Sequence, residues 1–389
     1  MELNQFTANW NYPTAIRAGI GRIQDLPATC QELGMTSPLL ITDPGLADLP
    51  MVQAALASCK QAGLRCNIFS QIKGNPTGEN VTDGVSAYWR GEHDGVIAFG
   101  GGSALDAAKA VALMVGQELP IWDFEDVGDN WLNVRTEGMA PVVAVPTTSG
   151  TGSEVGRASV ITDHENHIKR IIFHPNMLPA IVILDPQLSV GLPAKLTAAT
   201  GMDALSHALE AYCANYYHPM AEGIALESIR LIKEYLPRAV KDGNDLEARA
   251  QMMTASTMGS TAFQRGLGGM HALAHPIGAL YDSHHGLLNA ILMPYVLKAN
   301  RSAIEAKLTR LSSYLELEDA GFDSFLNWVL TLRQQLDIPH ALSAIGIDAE
   351  RVTEIGAMAE QDPSAGGNPI AFDAQQYAAI FQSAVYGEL

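Results

Sequence analysis

The chain changes character near residue 190, and that change restricts the fold more than any single motif. Before it, short β-rich runs alternate with helical stretches: PLLIT (38–42), the amphipathic segment LPMVQAALASCKQAG, RCNIF (65–69), VIAFG, a helix from Ser103, VVAVP (142–146) and AIVIL (180–184). Strand, crossover helix and strand in repetition call for a mostly parallel sheet with helices over its faces. Beyond Leu192 the strand signal nearly vanishes, and 3.6-residue periodicity runs through AEGIALESIRLIKEYLPRAV, EARAQMMTASTMGSTAF and SAIEAKLTRLSSYLEL. The expected class is α/β plus all-α, with a parallel-sheet domain over residues 1–190 and an all-helical domain over 191–389. No repeat, low-complexity tract or Pro/Ser-rich linker separates the halves, so they are expected to pack directly, with the cleft between them as the default ligand site.

Composition narrows the function classes. The chain has 389 residues, 47% hydrophobic and 17% charged, enough for two ordinary domains and typical of a compact soluble protein. Its first residues, MELNQFTANW, carry neither a basic segment nor an apolar stretch, and no run of about 18 apolar residues occurs, so a cytoplasmic, non-membrane protein is expected. A formal charge of −18 repels phosphate backbones and anionic lipid, which argues against nucleic-acid and membrane partners. Cys30, Cys59, Cys66 and Cys213 form no CxxC pair, which suits a reducing compartment and removes zinc-finger and thioredoxin chemistry.

Two glycine-rich loops have the physics of an anion site. VIAFGGGSALDAAKAVA runs from a buried strand through three glycines into an amphipathic helix, with Ser103 placed to cap it. Bare backbone lets a pyrophosphate approach, and the first helical turn offers N–H donors and the positive dipole end. The spacing departs from G-x-G-x-x-G, because Leu105 stands where the last glycine belongs. Glycines that merely turn the chain are the competing explanation. A second loop, PTTSGTGSE (146–154), follows VVAVP and offers hydroxyls and amides to phosphate or ribose; two such loops at successive strand ends favour a dinucleotide. Asp43, just after PLLIT, suits a ribose diol and repels a 2′-phosphate, favouring NAD over NADP; a plain Asp43-Pro44-Gly45 turn is the alternative.

HALAHPIGALYDSHH (271–285) holds four of the eleven histidines. Asp203 and His207 stand four apart in ATGMDALSHALEAY and so share a helix face, and His271 and His275 repeat that spacing. One such histidine is ordinarily a satisfied core residue, but a carboxylate and imidazoles from two or three helices are how a helical domain builds a metal site. HExxH is absent, so the metalloprotease arrangement is unsupported.

GGGSALDAAK, PTTSGTGSE, TGMDALSHALEAY and HALAHPIGALYDSHHGLLNAILMP together resemble the iron-containing, or group III, alcohol dehydrogenases, from the Gly19–Gly21 turn to GGNP at 366–369. The resemblance implies a dehydroquinate synthase-like fold: a Rossmann-like dinucleotide-binding domain, a helical metal domain and a catalytic cleft between them. It implies Asp203, His207, His271 and His285 as divalent-metal ligands, the last two fourteen residues apart. His275 becomes a non-ligand histidine that relays a proton or orients substrate and nicotinamide, unless it only positions helix and metal by a hydrogen bond. His284 stands where many members carry proline, which alters the pocket rim. Cofactor contacts carried over are Gly100, Gly101, Gly102, Ser103 and Asp106 at the pyrophosphate, Thr147, Thr148, Ser149 and Thr151 near adenosine or ribose, and Asn75, Pro76 and Lys169 nearby; a solvated surface lysine is the alternative for Lys169. Phe263 and Ser364 fall near family pocket positions, although AFQRGLGGMH is one residue shorter than the better-known segment and Phe263 also suits plain core.

A divalent ion with three imidazoles, one carboxylate and an open position would polarise an alcohol or carbonyl oxygen while hydride passes to or from nicotinamide. Such a donor set suits Fe²⁺, Zn²⁺, Ni²⁺ and Mn²⁺, and the resemblance selects Fe²⁺. The implied partners are NAD(H), a small alcohol or aldehyde, and a second copy of the chain in a homodimer or larger homo-oligomer. A zinc-dependent glycerol dehydrogenase-like polyol oxidoreductase, a metal-dependent hydrolase and a non-catalytic NAD-binding protein remain as alternatives.

Overall fold

The structure, a computed structural model, describes residues 14–166 and 168–389. They fall into two compact units, one formed by the described residues before Leu192 and the other by Leu192–Leu389.

The first unit contains strands β1 (Ala15–Ala18), β2 (Pro38–Ile41), β3 (Asn67–Phe69), β4 (Gly95–Gly100), β5 (Val142–Pro146), β6 (Ala158–Asp163), β7 (Ile168–Phe173) and β8 (Ile181–Leu184). Its helices are α1 (Leu26–Glu32), α2 (Pro44–Ala47), α3 (Pro50–Gln61), α4 (Gly78–Arg90) and α5 (Gly102–Met114). Six strands form one sheet in the order β1-β8-β5-β4-β2-β3, parallel at every pairing. Every residue of β2, β4, β5 and β8 is buried. That is the continuous apolar pattern of strands covered on both faces, and it explains why these four were legible as runs rather than as alternations.

Two parts of this unit depart from expectation. The sixth sheet strand, β1, reads AIRA, with Arg17 turned to Glu32 and Thr29; it is a half-exposed edge strand with no apolar run to announce it. β6 and β7 form a separate antiparallel ribbon in which Ile161 and Ile172 are buried between half-buried neighbours, Lys169 and Arg170 among them. The crossover from β2 leads to β3 on one side and that from β4 to β5 on the other, so the strand order reverses between β2 and β4. Ligands of open α/β sheets sit at the carboxyl ends of such strands.

The second unit is helical throughout: α6 (Ala194–Cys213), α7 (Pro219–Lys241), α8 (Leu246–Ala262), α9 (Gly269–Tyr281), α10 (His285–Ala299), α11 (Arg301–Tyr314), α12 (Phe322–Gln335), α13 (Val352–Gln361) and α14 (Ala374–Tyr386). From Thr197 to Cys213 every residue of α6 but Thr200 is buried, which makes it the central helix of the unit. The first turn of α10 lies against it so closely that a Cβ on Gly286 would stand 2.5 Å from Ala199 O and 3.0 Å from Asp203 Cβ. Glycine there lets His285 come beside Asp203. Among the described residues no helix is long and apolar enough to cross a membrane.

Candidate functional site

On α6 the i, i+4 spacing sets Asp203 and His207 one turn apart, both nearly fully buried. α9 brings His271 to them: one ligand atom from each of the three residues lies within 4.8 Å of the others. The His207 and His271 rings stack at 4.8 Å and 18°. His285, the first residue of α10, stands outside that mutually close group but puts Nε2 3.7 Å from Asp203 Oδ1, with its ring 5.2 Å from that of His271.

Glu210, three residues beyond His207, was not singled out from the sequence, yet it organises the site. Its Oε2 accepts from Gly268 N at 2.8 Å and lies 2.6 Å from His271 Nδ1, and its Oε1 accepts from Met270 N at 2.6 Å. One buried carboxylate therefore caps α9 and fixes the His271 ring, leaving Nε2 on the side of Asn289, whose Nδ2 is 3.2 Å away. Burial alone would lower the His271 pKa, but the adjacent Glu210 carboxylate overrides it and the net shift is upward. Asn368 of the GGNP segment completes the cap, accepting from Gly269 N at 3.0 Å while pairing with Asn300 through two amide bonds of 2.9 Å.

His275, one turn beyond His271, stacks on His285 at 5.3 Å and 12° and holds Asp362 Oδ2 2.8 Å from its Nδ1. Burial works to raise the Asp362 pKa, and the His275 ring with the Ser364 N–H draws it below the usual carboxylate range. Phe263 lies 5.2 Å from the His207 ring. His284 caps α10, its Nδ1 accepting from Leu287 N at 3.3 Å. Buried imidazole nitrogens around one carboxylate, with a ring fixed by a second carboxylate, fit a divalent cation of borderline hardness.

The glycine loops meet at the carboxyl ends of β4 and β5. Gly100 adopts φ +146°, and Thr147 N donates to Gly100 O at 2.9 Å. A Cβ on Gly101 would touch Thr148, and one on Gly102 would overlap Thr151, so the two loops pack through bare backbone. Here the structure corrects one expectation. α5 begins at Gly102 with Gly101 as its cap, and the Ser103 hydroxyl donates instead to Gly74 O, because Gly101 takes the extended conformation that the cap requires.

Asp106 lies beneath both loops: Oδ1 accepts from the Ser153 hydroxyl at 2.5 Å and Oδ2 from Val160 N at 3.0 Å, with Lys109 Nζ 3.4 Å from Oδ1. The buried Lys109 ammonium, whose pKa desolvation lowers, also donates to Ser153 O at 3.0 Å and to Ala158 O. Asp43, at the end of β2, caps α2 through Leu46 N at 3.1 Å, and its Oδ2 lies 3.6 Å from where a Gly100 Cβ would be. Lys169 on β7 donates to Asn75 Oδ1 at 2.9 Å, joining two residues more than ninety positions apart. Ser149 is nearly buried in the second loop.

Residues 13–186 match the family described as iron-containing alcohol dehydrogenase, and residues 197–385 match its C-terminal domain family. A 4-hydroxybutyrate dehydrogenase of Cupriavidus necator is 35% identical over 384 residues, covering 96% of this chain and 99% of that one. An NAD-dependent methanol dehydrogenase of Bacillus methanolicus is 32% identical over 384 residues, covering 97% and 100%. The crystal structure of a 1,3-propanediol oxidoreductase superposes with a TM-score of 0.92 at 35% identity, covering 97% of this chain and 100% of that one.

Proposed function

Because this chain belongs to the iron-containing alcohol dehydrogenase family, we propose that it interconverts short-chain alcohols and their aldehydes with NAD(H), using Fe²⁺ held by Asp203, His207, His271 and His285. The observation that carries this is the buried Asp203, His207 and His271 group with Glu210 locked onto His271.

When bound, the cation supplies Lewis acidity to the alcohol or carbonyl oxygen and nicotinamide supplies the hydride acceptor or donor. The chain's own residues do the rest. Glu210 holds the proton on His271 Nδ1, so Nε2 keeps its lone pair. Asp362 does the same at His275 Nδ1, leaving His275 Nε2 to take the hydroxyl proton during oxidation and return it during reduction. Phe263 offers an apolar face beside His207 for the hydrocarbon of a small substrate. Gly100, Gly101, Gly102 and Ser103 present backbone and first-turn amides to a pyrophosphate, and Thr147, Thr148, Ser149 and Thr151 line the neighbouring loop. Asp106 shapes both loops from below, Asn75 and Lys169 flank them, and the carboxylate of Asp43 favours a ribose diol over a 2′-phosphate. Two copies of the chain are proposed to associate, which light scattering on a sizing column reads directly.

The relatives named for 4-hydroxybutyrate, methanol and 1,3-propanediol direct the substrate panel to short primary alcohols, diols and hydroxy acids. Protein reconstituted separately with Fe²⁺ and Zn²⁺ is assayed on that panel with NAD(H) and NADP(H). Reversible NADH formation that needs the cation is expected. Turnover without nicotinamide, as a hydrolase would show, or nucleotide binding with no turnover on any alcohol, overturns the proposal.

A further inference from the structure

The amide of Asn289 on α10 is hydrogen-bonded the wrong way round for its own benefit. Its Nδ2 lies 2.8 Å from Asp203 Oδ1, 3.2 Å from His271 Nε2 and 3.2 Å from His285 Nε2. Its Oδ1 is buried and has no hydrogen-bond partner among the described residues. An amide carries two donor hydrogens and an acceptor oxygen, and a buried side chain with a choice satisfies both ends. Here one end donates to the Asp203 carboxylate and faces two imidazole nitrogens, while the other goes without. Packing alone does not ask for that arrangement; a carboxylate and two imidazole nitrogens converging with lone pairs forward would.

Those lone pairs belong to three of the four residues assigned above to the cation. With Nδ1 of His271 tied to Glu210, Nε2 is the nitrogen left with a lone pair, and it is the one that faces Asn289. A lone pair bound to a cation cannot also accept from an N–H, and an N–H dipole aimed at a cation is repelled. Amide and cation are therefore rivals for the two imidazole nitrogens, whereas Asp203 Oδ1, with a second lone pair, can serve both. We propose that Asn289 is a placeholder: its amide holds Asp203, His271 and His285 in their converged positions until a cation arrives, and gives way when it binds. The chain can then fold with the cage already shaped, at the expense of some affinity for the ion.

This inference rests on the ligand assignment, and the test separates the two. Full-length wild type, Asn289→Leu, Asn289→Ala and Asp203→Ala are stripped with chelator and titrated with Co²⁺, followed by its visible absorbance. Stoichiometric binding by wild type that is lost in Asp203→Ala supports the ligands; its absence removes them and this proposal with them. Given the ligands, Asn289→Leu is expected to bind Co²⁺ about tenfold more tightly than wild type, with a metal-free Tm that falls further than the loaded Tm. Asn289→Ala should shift the same way by less, because water can enter the space. A residue that merely supports the ligands gives the opposite sign, and equal or weaker binding in both variants overturns the proposal. Should the variants fail to fold, crystals of Zn²⁺-loaded wild type still decide it: Nδ2 must have left at least two of its three partners, and retention of all three contacts overturns it.

Discussion

Glu210 concentrates three hydrogen bonds on two oxygens, so its removal should be felt in two separable ways. Glu210→Gln keeps the volume but turns one acceptor into a donor that faces other donors. It should weaken Fe²⁺ or Co²⁺ binding by about 10- to 100-fold, read by metal titration. Glu210→Ala additionally leaves the Gly268 and Met270 N–H groups unpaired, at roughly 1–3 kcal/mol each, which a thermal melt should register. Asp362→Asn acts elsewhere: it removes the carboxylate that holds His275 Nδ1–H, so kcat is expected to fall by about 10²-fold or more while metal content stays at the wild-type level. At this scale the sequence offered Asp203, His207, His271 and His275 through spacing and clustering, and the first three meet within 4.8 Å. It hid their supports. Glu210 lies three residues after His207 on the same helix face, but its partners are 58 to 61 residues away, and a glutamate in a helix is ordinarily solvated. Asp362 and Asn368 belong to a late loop whose signals were the GGNP segment and Ser364, neither of which pointed to Asp362.

Elements meet at a few contacts that tolerate no bulk. Gly286→Ala places a methyl 2.5 Å from Ala199 O, against a helix that is itself buried and cannot move aside. The expected outcome is a loss of about 1–3 kcal/mol in chemical denaturation, together with weaker metal binding as α10 carries His285 away from Asp203. In the other unit, Asp94 ties the entries of β4 and β2 together by accepting from Thr36 N at 2.7 Å, Thr36 Oγ1 at 2.6 Å and Ser37 N at 2.8 Å. Desolvation opposes ionisation there, but these donors win and its pKa falls below the ordinary 3.8. A depressed carboxylate stabilises fully above its unfolded value and loses that contribution as pH falls through its folded value. Asp94→Asn should therefore lower Tm at neutral pH, and the gap from wild type should close below about pH 4. Strands were legible where both faces are covered, as in β2, β4, β5 and β8. β1 and the β6–β7 ribbon went unseen, because Arg17 in β1 and Lys169 and Arg170 in β7 interrupt any apolar run, and two of the three buried positions of β6, Ser159 and Asp163, are polar.

For the molecule as a whole, the change of character near residue 190 foretold a parallel-sheet unit and a helical one, and both are present. The division of labour proposed for them predicts that chelation, like His271→Ala, abolishes turnover yet leaves NAD affinity within a few-fold of wild type by calorimetry. Loss of nucleotide binding along with the metal would contradict it. Chelation should also lower Tm, since an ion bound only by the folded chain stabilises it by mass action. The amino end of α9 is fixed by groups from three distant places: Glu210, Asn368, and Asn300 behind Asn368. A growing polypeptide can thus complete its sheet and glycine loops early in synthesis, while Asn368, which completes the cap of α9, is added 99 residues after the Gly269 amide it accepts from. Translation that halts just short of Asn368 therefore leaves a finished sheet and a cage whose α9 is still uncapped.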